Sequence, residues 1–325
     1  MTLDLTYAGY EYEWTRPLRD GRVAPQGVDL TTVDYPNPER FTRMVDLGEF
    51  DACELSTGTY LATRASPDRY PFTAIPVFPY RKLRHSYVFT RRDGDVETVD
   101  DLNGGRVGLI NWQTTTGIWQ RGILADRHGL DLESVEWVVA GTEIVDVDPD
   151  GYTVTDLDGG TGSPVPELAA GLESDDLDAL FLPVVPESDG VVRLFDDALA
   201  VERAYVRETG IFPIMHTVVV QDSLLEAKPW VVQSLFDAFE SAKSLALNAL
   251  EEPRWMPLAQ SRLLVERQRE FLGEDPWQYG LTDGNRRVLD QLLEYAVDQG
   301  VAAERYDLEE LFATEHLNAD WFGSP

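Results

Sequence analysis

The chain has 325 residues, 43% of them hydrophobic and 10% aromatic, enough to bury the cores of two ordinary domains. Its 58 acidic residues against 27 basic ones give a net charge of -31, which repels nucleic acid and anionic lipid and excludes both as partners. Only Lys82, Lys228 and Lys243 are lysines, and the acidic excess runs along the whole chain, as expected of a halophilic surface screened by molar salt.

No basic and apolar leader follows Met1, and no apolar run approaches the ~20 residues of a membrane span, so a cytoplasmic location is expected. Thr2 to Tyr7 alternates and reads as a strand. A polar loop with Trp14 and Arg16 leads to a second strand, Val28 to Val33, closed by Pro36-Asn37-Pro38. Glu39 to Leu47 fits a helix with Phe41, Met44 and Val45 on one face and Gly48 as its stop. Asp51-Ala-Cys-Glu-Leu then reads as a strand, and its Cys53, the single cysteine, allows no intramolecular disulfide. The same grammar recurs from Val165 to Leu182, where a short helix and a glycine precede Asp178-Ala-Leu-Phe-Leu. Two copies of one αβ step suggest two similar lobes.

Between the copies come Ile75-Pro-Val-Phe-Pro, a strand from His85 to Thr90, the apolar strand Val107 to Ile110, and a helix from Thr115 to His128, which together form a parallel α/β unit. The Asp-, Gly- and Thr-rich stretch 146–162 reads as an exposed hairpin or loop. A late strand, His216 to Gln221, precedes a helical tail whose first helix, after Pro229, carries a stripe of Val232, Leu235, Phe236, Phe239 and Leu245. Further helices are expected over 257–272, 285–299 and 308–312. The strands at 85–90 and 216–221 are expected to be the two crossings between lobes. Lobe 1 then comprises 1–90 plus 217–325, with the C-terminal helices packed on it, and lobe 2 comprises 91–216, with a ligand cleft between them.

The chain has four histidines, and His85 and His216 both begin an inferred crossing strand, so their imidazoles would converge at the cleft floor with pKa values suited to proton transfer. His128 and His316 fall at helix ends, where a cation suits the dipole. Arg16, Arg84 and Arg121 are candidates for gripping a carboxylate bidentately, although any single arginine more often pairs on the surface. Trp112, Gln113, Thr114 and Thr115 sit between a strand and a helix, where free N–H groups attract an anion. Glu54, Ser56 and Thr57 end a strand on the lip where α/β sheets place ligands, and Tyr60 or Trp112 could stack on a ring. His85, His216 and Glu54 form a conceivable metal-ligand set, but no supporting spacing is present and no metal is expected. No Gly-x-Gly-x-x-Gly, Walker loop or nucleophile elbow occurs.

Thr15-Arg-Pro-Leu, Glu49-Phe-Asp-Ala-Cys-Glu-Leu-Ser, Ile75-Pro-Val-Phe-Pro, Arg84-His-Ser, Trp119-Gln-Arg-Gly-Ile-Leu and above all Gly210-Ile-Phe-Pro-Ile-Met-His-Thr-Val-Val follow one another in the chain. In these runs the sequence resembles the 4,5-dihydroxyphthalate decarboxylase family, within the type II periplasmic-binding-protein-like superfamily. The resemblance implies a two-lobed α/β fold and a decarboxylase that needs no cofactor, acting on a dihydroxylated aromatic dicarboxylate. His85 and His216 would be its acid and base, in unassigned order. The alternatives are a non-catalytic binding protein for a small organic anion, serving a transporter or a sensor, and another enzyme on this fold, such as those of an alternative menaquinone route. A small anionic aromatic ligand is the expected partner, and a homo-oligomer is left open.

Overall fold

The computed structural model describes residues 2–157, 162–250, 252, 254 and 257–317. The N-terminal alternation forms β1 (Leu3–Ala8), which buries Leu5, Tyr7 and Ala8, and β2 (Val28–Val33) pairs with it in parallel. Between them, α1 (Arg16–Arg19) is one turn with Pro17 at its start, where a missing N–H costs nothing. The helix α2 (Glu39–Leu47) buries Phe41, Met44 and Val45 and stops at Gly48, whose φ of 54° is the left-handed conformation glycine adopts without strain. It feeds β3 (Ala52–Ser56), buried at every position, and then α3 (Thr57–Thr63). The Ile75-Pro-Val-Phe-Pro run lies inside a further strand, β4 (Phe72–Arg81). The strand β11 (Ile214–Gln221) returns from far along the chain, antiparallel to β3 and β4, and completes a sheet of order β2-β1-β3-β11-β4. Pro76 and Pro79 are tolerated because β4 is the edge of that sheet.

The second sheet has the order β10-β5-β9-β6-β7-β8 and comprises β5 (Val88–Arg91), β6 (Arg106–Leu109), β7 (Glu136–Val139), β8 (Thr153–Asp156), β9 (Ala179–Phe181) and β10 (Val191–Arg193). Four of its strands are mutually parallel, with α4 (Thr115–His128) following β6 and α5 (Pro164–Glu173) preceding β9. The α2–β3 and α5–β9 steps are the two copies of the sequence repeat, one in each sheet. The stretch read as an exposed loop contributes β8, which finds backbone partners in β7 although its half-exposed Thr-Val-Thr-Asp shows no apolar run. Residues 158–161 of that stretch lie outside the described residues.

The crossings differ from expectation. Residues 85–87 form a 3₁₀ turn, β5 belongs to the second sheet and β11 to the first, so those strands do not run side by side. Each strand pairs within its own sheet, and the chain crosses instead at 82–87 and 210–213. These segments touch, with the Lys82 N–H donating to the Pro213 carbonyl at 3.1 Å and Arg81 Nη1 donating to the Phe212 carbonyl at 3.2 Å.

In the tail, α7 (Asp222–Ala227) precedes α8 (Val231–Ala249), which packs on α1 and β4, and after α11 (Leu308–Leu311) Phe312 bridges to Ala74 of β4. The tail also reaches the second lobe. The helix α9 (Ser261–Leu272) lies against α6 (Ala198–Thr209), and α10 (Asp283–Asp298) against α3 and α4. The buried stripe of α8 ends at Ala242, and Leu245 is exposed. Among the described residues no helix is long and apolar enough to cross a membrane.

Candidate functional site

The strand β3 carries a carboxylate, Glu54, into the interior with no exposed surface. A charge buried there must be paired, and Arg40 on the buried face of α2 supplies the cation. Its Nη2 lies 3.4 Å from Glu54 Oε2, while its Nε donates to the Glu54 backbone carbonyl at 3.1 Å and its Nη1 to the Tyr35 carbonyl at 2.7 Å. Three more donors converge on the same carboxylate. The Tyr10 N–H reaches Oε2 at 2.8 Å, and the Tyr12 hydroxyl at 2.7 Å and His216 Nδ1 at 2.5 Å both reach Oε1. Burial pushes the Glu54 carboxyl up, but Arg40 and the hydrogen bonds outweigh it and hold the group at about 2. It is therefore ionised at neutral pH.

His216 owes its position to an irregularity. In β11 it pairs with Ser56 of β3 and Tyr80 of β4, and the register against β4 shifts on both sides of it. Such bulges re-aim a side chain, and here the imidazole packs on Tyr80 at 5.0 Å and edge-on to Phe41 at 5.4 Å. Burial lowers its pKa against the opposing pull of Glu54. The ring is thus neutral near pH 7. The ionised Glu54 assigns the proton to Nδ1 and leaves Nε2 as a lone-pair acceptor. A carboxylate that fixes the tautomer of an imidazole makes a proton-transfer dyad. Tyr12 is stacked between Trp14 at 4.8 Å and Tyr80 at 5.7 Å, which fixes the hydroxyl bound to Glu54.

Beside the dyad lies Arg84, only 1% exposed. Its Nε is held by the Met215 sulfur at 3.4 Å, and it lies against the Tyr80 and Tyr87 rings without a well-formed hydrogen bond to either terminal nitrogen. Burial lowers its pKa, and no carboxylate among the described residues pairs with it. A buried guanidinium with no carboxylate paired to it is costly and is a ready receptor for an anion. At the lobe junction Thr115 Oγ1 hydrogen-bonds Ser56 Oγ at 2.8 Å and accepts from the Gly58 N–H at 2.8 Å. The starts of α3 and α4 therefore meet. Gly58 permits the approach, since a Cβ there would stand 2.3 Å from the Gln113 carbonyl oxygen. Near this contact the buried Thr57 hydroxyl has no hydrogen-bond partner, and the Gln113 amide, beside Glu143, makes no well-formed bond. Thr114 caps α4 by accepting from the Gly117 N–H.

The structure does not bring the two expected imidazoles together. His85 sits in the crossover turn with its ring among His128, Phe195 and Tyr205, and burial, helped by His128, lowers its pKa to about 4. Its ring lies among those side chains and not against Glu54, and neither of its ring nitrogens has a hydrogen-bond partner among the described residues. Glu54 orients His216 rather than meeting a ligand. Arg16 lies in solvent, 3.2 Å from Glu13, because α1 turns it outward. Tyr60 is fully buried, its hydroxyl donating to the Leu311 carbonyl and accepting from the Ala74 N–H, so it anchors the tail instead of stacking on a ligand. Arg121 stacks on Trp112 at 3.8 Å and donates to Gln299 and to the Trp112 carbonyl, while Trp112 Nε1 donates to the Gln299 carbonyl. Those two residues fasten the end of α10 to the second lobe. Arg40, Tyr12 and Tyr80 were missed. Arg40 had a signal, since it interrupts the apolar face of α2 next to Phe41 and Met44.

A curated relative from Comamonas testosteroni, 4,5-dihydroxyphthalate decarboxylase, is 30% identical over 333 residues, covering 98% of each chain. A Pseudomonas putida protein of the same name is 37% identical over 141 residues, 43% of this chain and 54% of that protein. No protein-family model matches. Among solved structures, the periplasmic aliphatic sulphonate binding protein SsuA from Escherichia coli superposes with a TM-score of 0.55 at 13% identity, covering 96% of this chain and 91% of that one. A DSZB mutant in complex with biphenyl-2-sulfinic acid gives a TM-score of 0.55 at 19% identity, with 98% of each chain covered. Identities this low speak for the fold alone, which is the periplasmic-binding-protein fold.

Proposed function

The chain belongs to the 4,5-dihydroxyphthalate decarboxylase family, and we propose that it is itself a decarboxylase of a dihydroxylated aromatic dicarboxylate, working without an organic cofactor. The observation that carries the reading is the buried Glu54–His216 dyad beside the guanidinium of Arg84, which no carboxylate among the described residues pairs. Arg84 holds one carboxylate of the substrate, and the unpartnered Thr57 hydroxyl at the lobe junction supplies a further polar contact. His216 Nε2 takes the proton of a ring hydroxyl, which drives electron density into the ring, and Glu54 stabilises the resulting imidazolium. The ring carbon bearing the departing carboxylate receives a proton from a water enclosed with the substrate, whose hydroxide is neutralised by solvent when the lobes reopen. The carbon–carboxylate bond then breaks with its electron pair left on the ring, CO2 departs, and the His216 imidazolium returns its proton to the phenolate, which restores the base. Closure of the lobes at Gly58 and Thr115 keeps bulk water from the exchange. The acidic surface supports a molar-salt working medium.

The fold of SsuA and its neighbours favours a second reading, a non-catalytic receptor for an organic anion. The two are separated by incubating the protein with 4,5-dihydroxyphthalate in molar salt and measuring CO2. Release that falls about 10²-fold or more in His216→Ala is expected for the enzyme. Binding of the diacid with no CO2 from the wild type sinks the decarboxylase reading.

A further inference from the structure

Away from the dyad, on the β10 edge of the second sheet, lies a groove of about 360 Å³, the size of a small-ligand pocket. Phe89, Val185, Val192 and Phe195 wall it. Two cations, Arg92 and Arg193, also line it. Each is fixed through Nε to a backbone carbonyl, Arg92 to Asp189 at 2.8 Å and Arg193 to Ser86 at 3.0 Å. Among the described residues neither forms an ion pair, in a molecule with a surplus of 31 negative charges. Pinned at Nε, both guanidiniums keep their terminal nitrogens for another partner, and a planar carboxylate matches that edge. Asp196 lines the same groove and sets it against a second anionic group.

We propose that this groove is a second ligand site, taking a small aromatic monocarboxylate with its carboxylate on Arg92 and Arg193 and its ring on Phe195 and Val192. The site is independent of the decarboxylase reading and lies beside the lobe crossover, where Phe195 packs on His85 at 5.4 Å. Benzoate, with neutral benzamide as its isosteric control, tests it by calorimetric titration at one fixed salt concentration. Benzoate should bind at least tenfold more tightly than benzamide, and Arg92→Ala/Arg193→Ala should abolish that binding class while leaving any cleft class in place. Benzoate should also slow amide exchange over residues 86–92 and 191–196 of the wild type. Arg92→Gln, which disturbs only one surface carbonyl contact, should weaken the same class several-fold even if the double variant does not fold. Equal affinity for benzamide, unchanged binding in the variants, or protection confined to the cleft would each overturn the proposal.

Discussion

Replacing Glu54 by glutamine keeps its shape and removes its charge, and the consequences follow from its neighbours. The carboxylate now receives His216 Nδ1 at 2.5 Å, the Tyr12 hydroxyl at 2.7 Å and the Tyr10 N–H at 2.8 Å, with Arg40 at 3.4 Å. An amide has one acceptor oxygen, so its NH2 either faces the Tyr10 N–H and Arg40, which can only donate, or turns to Tyr12 and His216 and forces the imidazole proton from Nδ1 to Nε2. The fully buried Arg40 meanwhile loses its counter-ion. A carboxyl held at about 2 instead of its ordinary 4.5 contributes about 3 kcal/mol at neutral pH. Orphaning one member of a buried ion pair costs about 3–5 kcal/mol. These are two views of one interaction, so Glu54→Gln should lose about 3–5 kcal/mol in total and about 10 °C in Tm. Because the folded pKa is depressed, the contribution is complete above pH 4.5 and disappears as pH falls towards 2. The wild-type and variant stabilities should therefore converge near pH 2. Denaturation melts at pH 7 and at low pH measure both. A variant within about 1 kcal/mol of wild type at pH 7 would refute the claim that Glu54 is the ionised hub of the site.

His85→Phe fills a pocket already made of rings, so turnover should stay within about threefold of wild type, whereas a general acid–base would cost 10² or more. Steady-state rates decide it. Arg84→Met keeps the length and removes an unpaired buried charge. It should raise KM for a diacid about 10- to 100-fold with kcat retained, while Tm holds or rises; an unchanged KM would remove Arg84 from the binding site. Gly58→Ala forces a Cβ to within 2.3 Å of the Gln113 carbonyl unless the two helix starts part, which should cost about 1–3 kcal/mol and weaken ligand binding. A melting temperature equal to wild type would show that the lobes do not meet there.

Much of the architecture was legible in the linear pattern, because it rests on local periodicity. Alternation marked β1, the apolar face of Phe41, Met44 and Val45 ending at Gly48 marked α2, and the repeated helix–glycine–Asp-Ala step marked corresponding elements of two sheets. Glu54, Arg84, His216, Ser56 and Thr115 were singled out by residue type and by their place at strand or helix ends, where α/β folds gather function. The lobe crossings were misplaced because strand pairing partners are set by contacts between distant segments. The same residue type therefore met two fates. A bulge in β11 aims His216 at Glu54, while a 3₁₀ turn sends His85 among rings on the other lobe. Sequence alone determined which side chains could carry protons and bind anions. Only the tertiary structure decided which of them meet, because burial and pairing with residues such as Arg40 and Tyr12, 14 and 42 positions from Glu54, fix both their geometry and their charge.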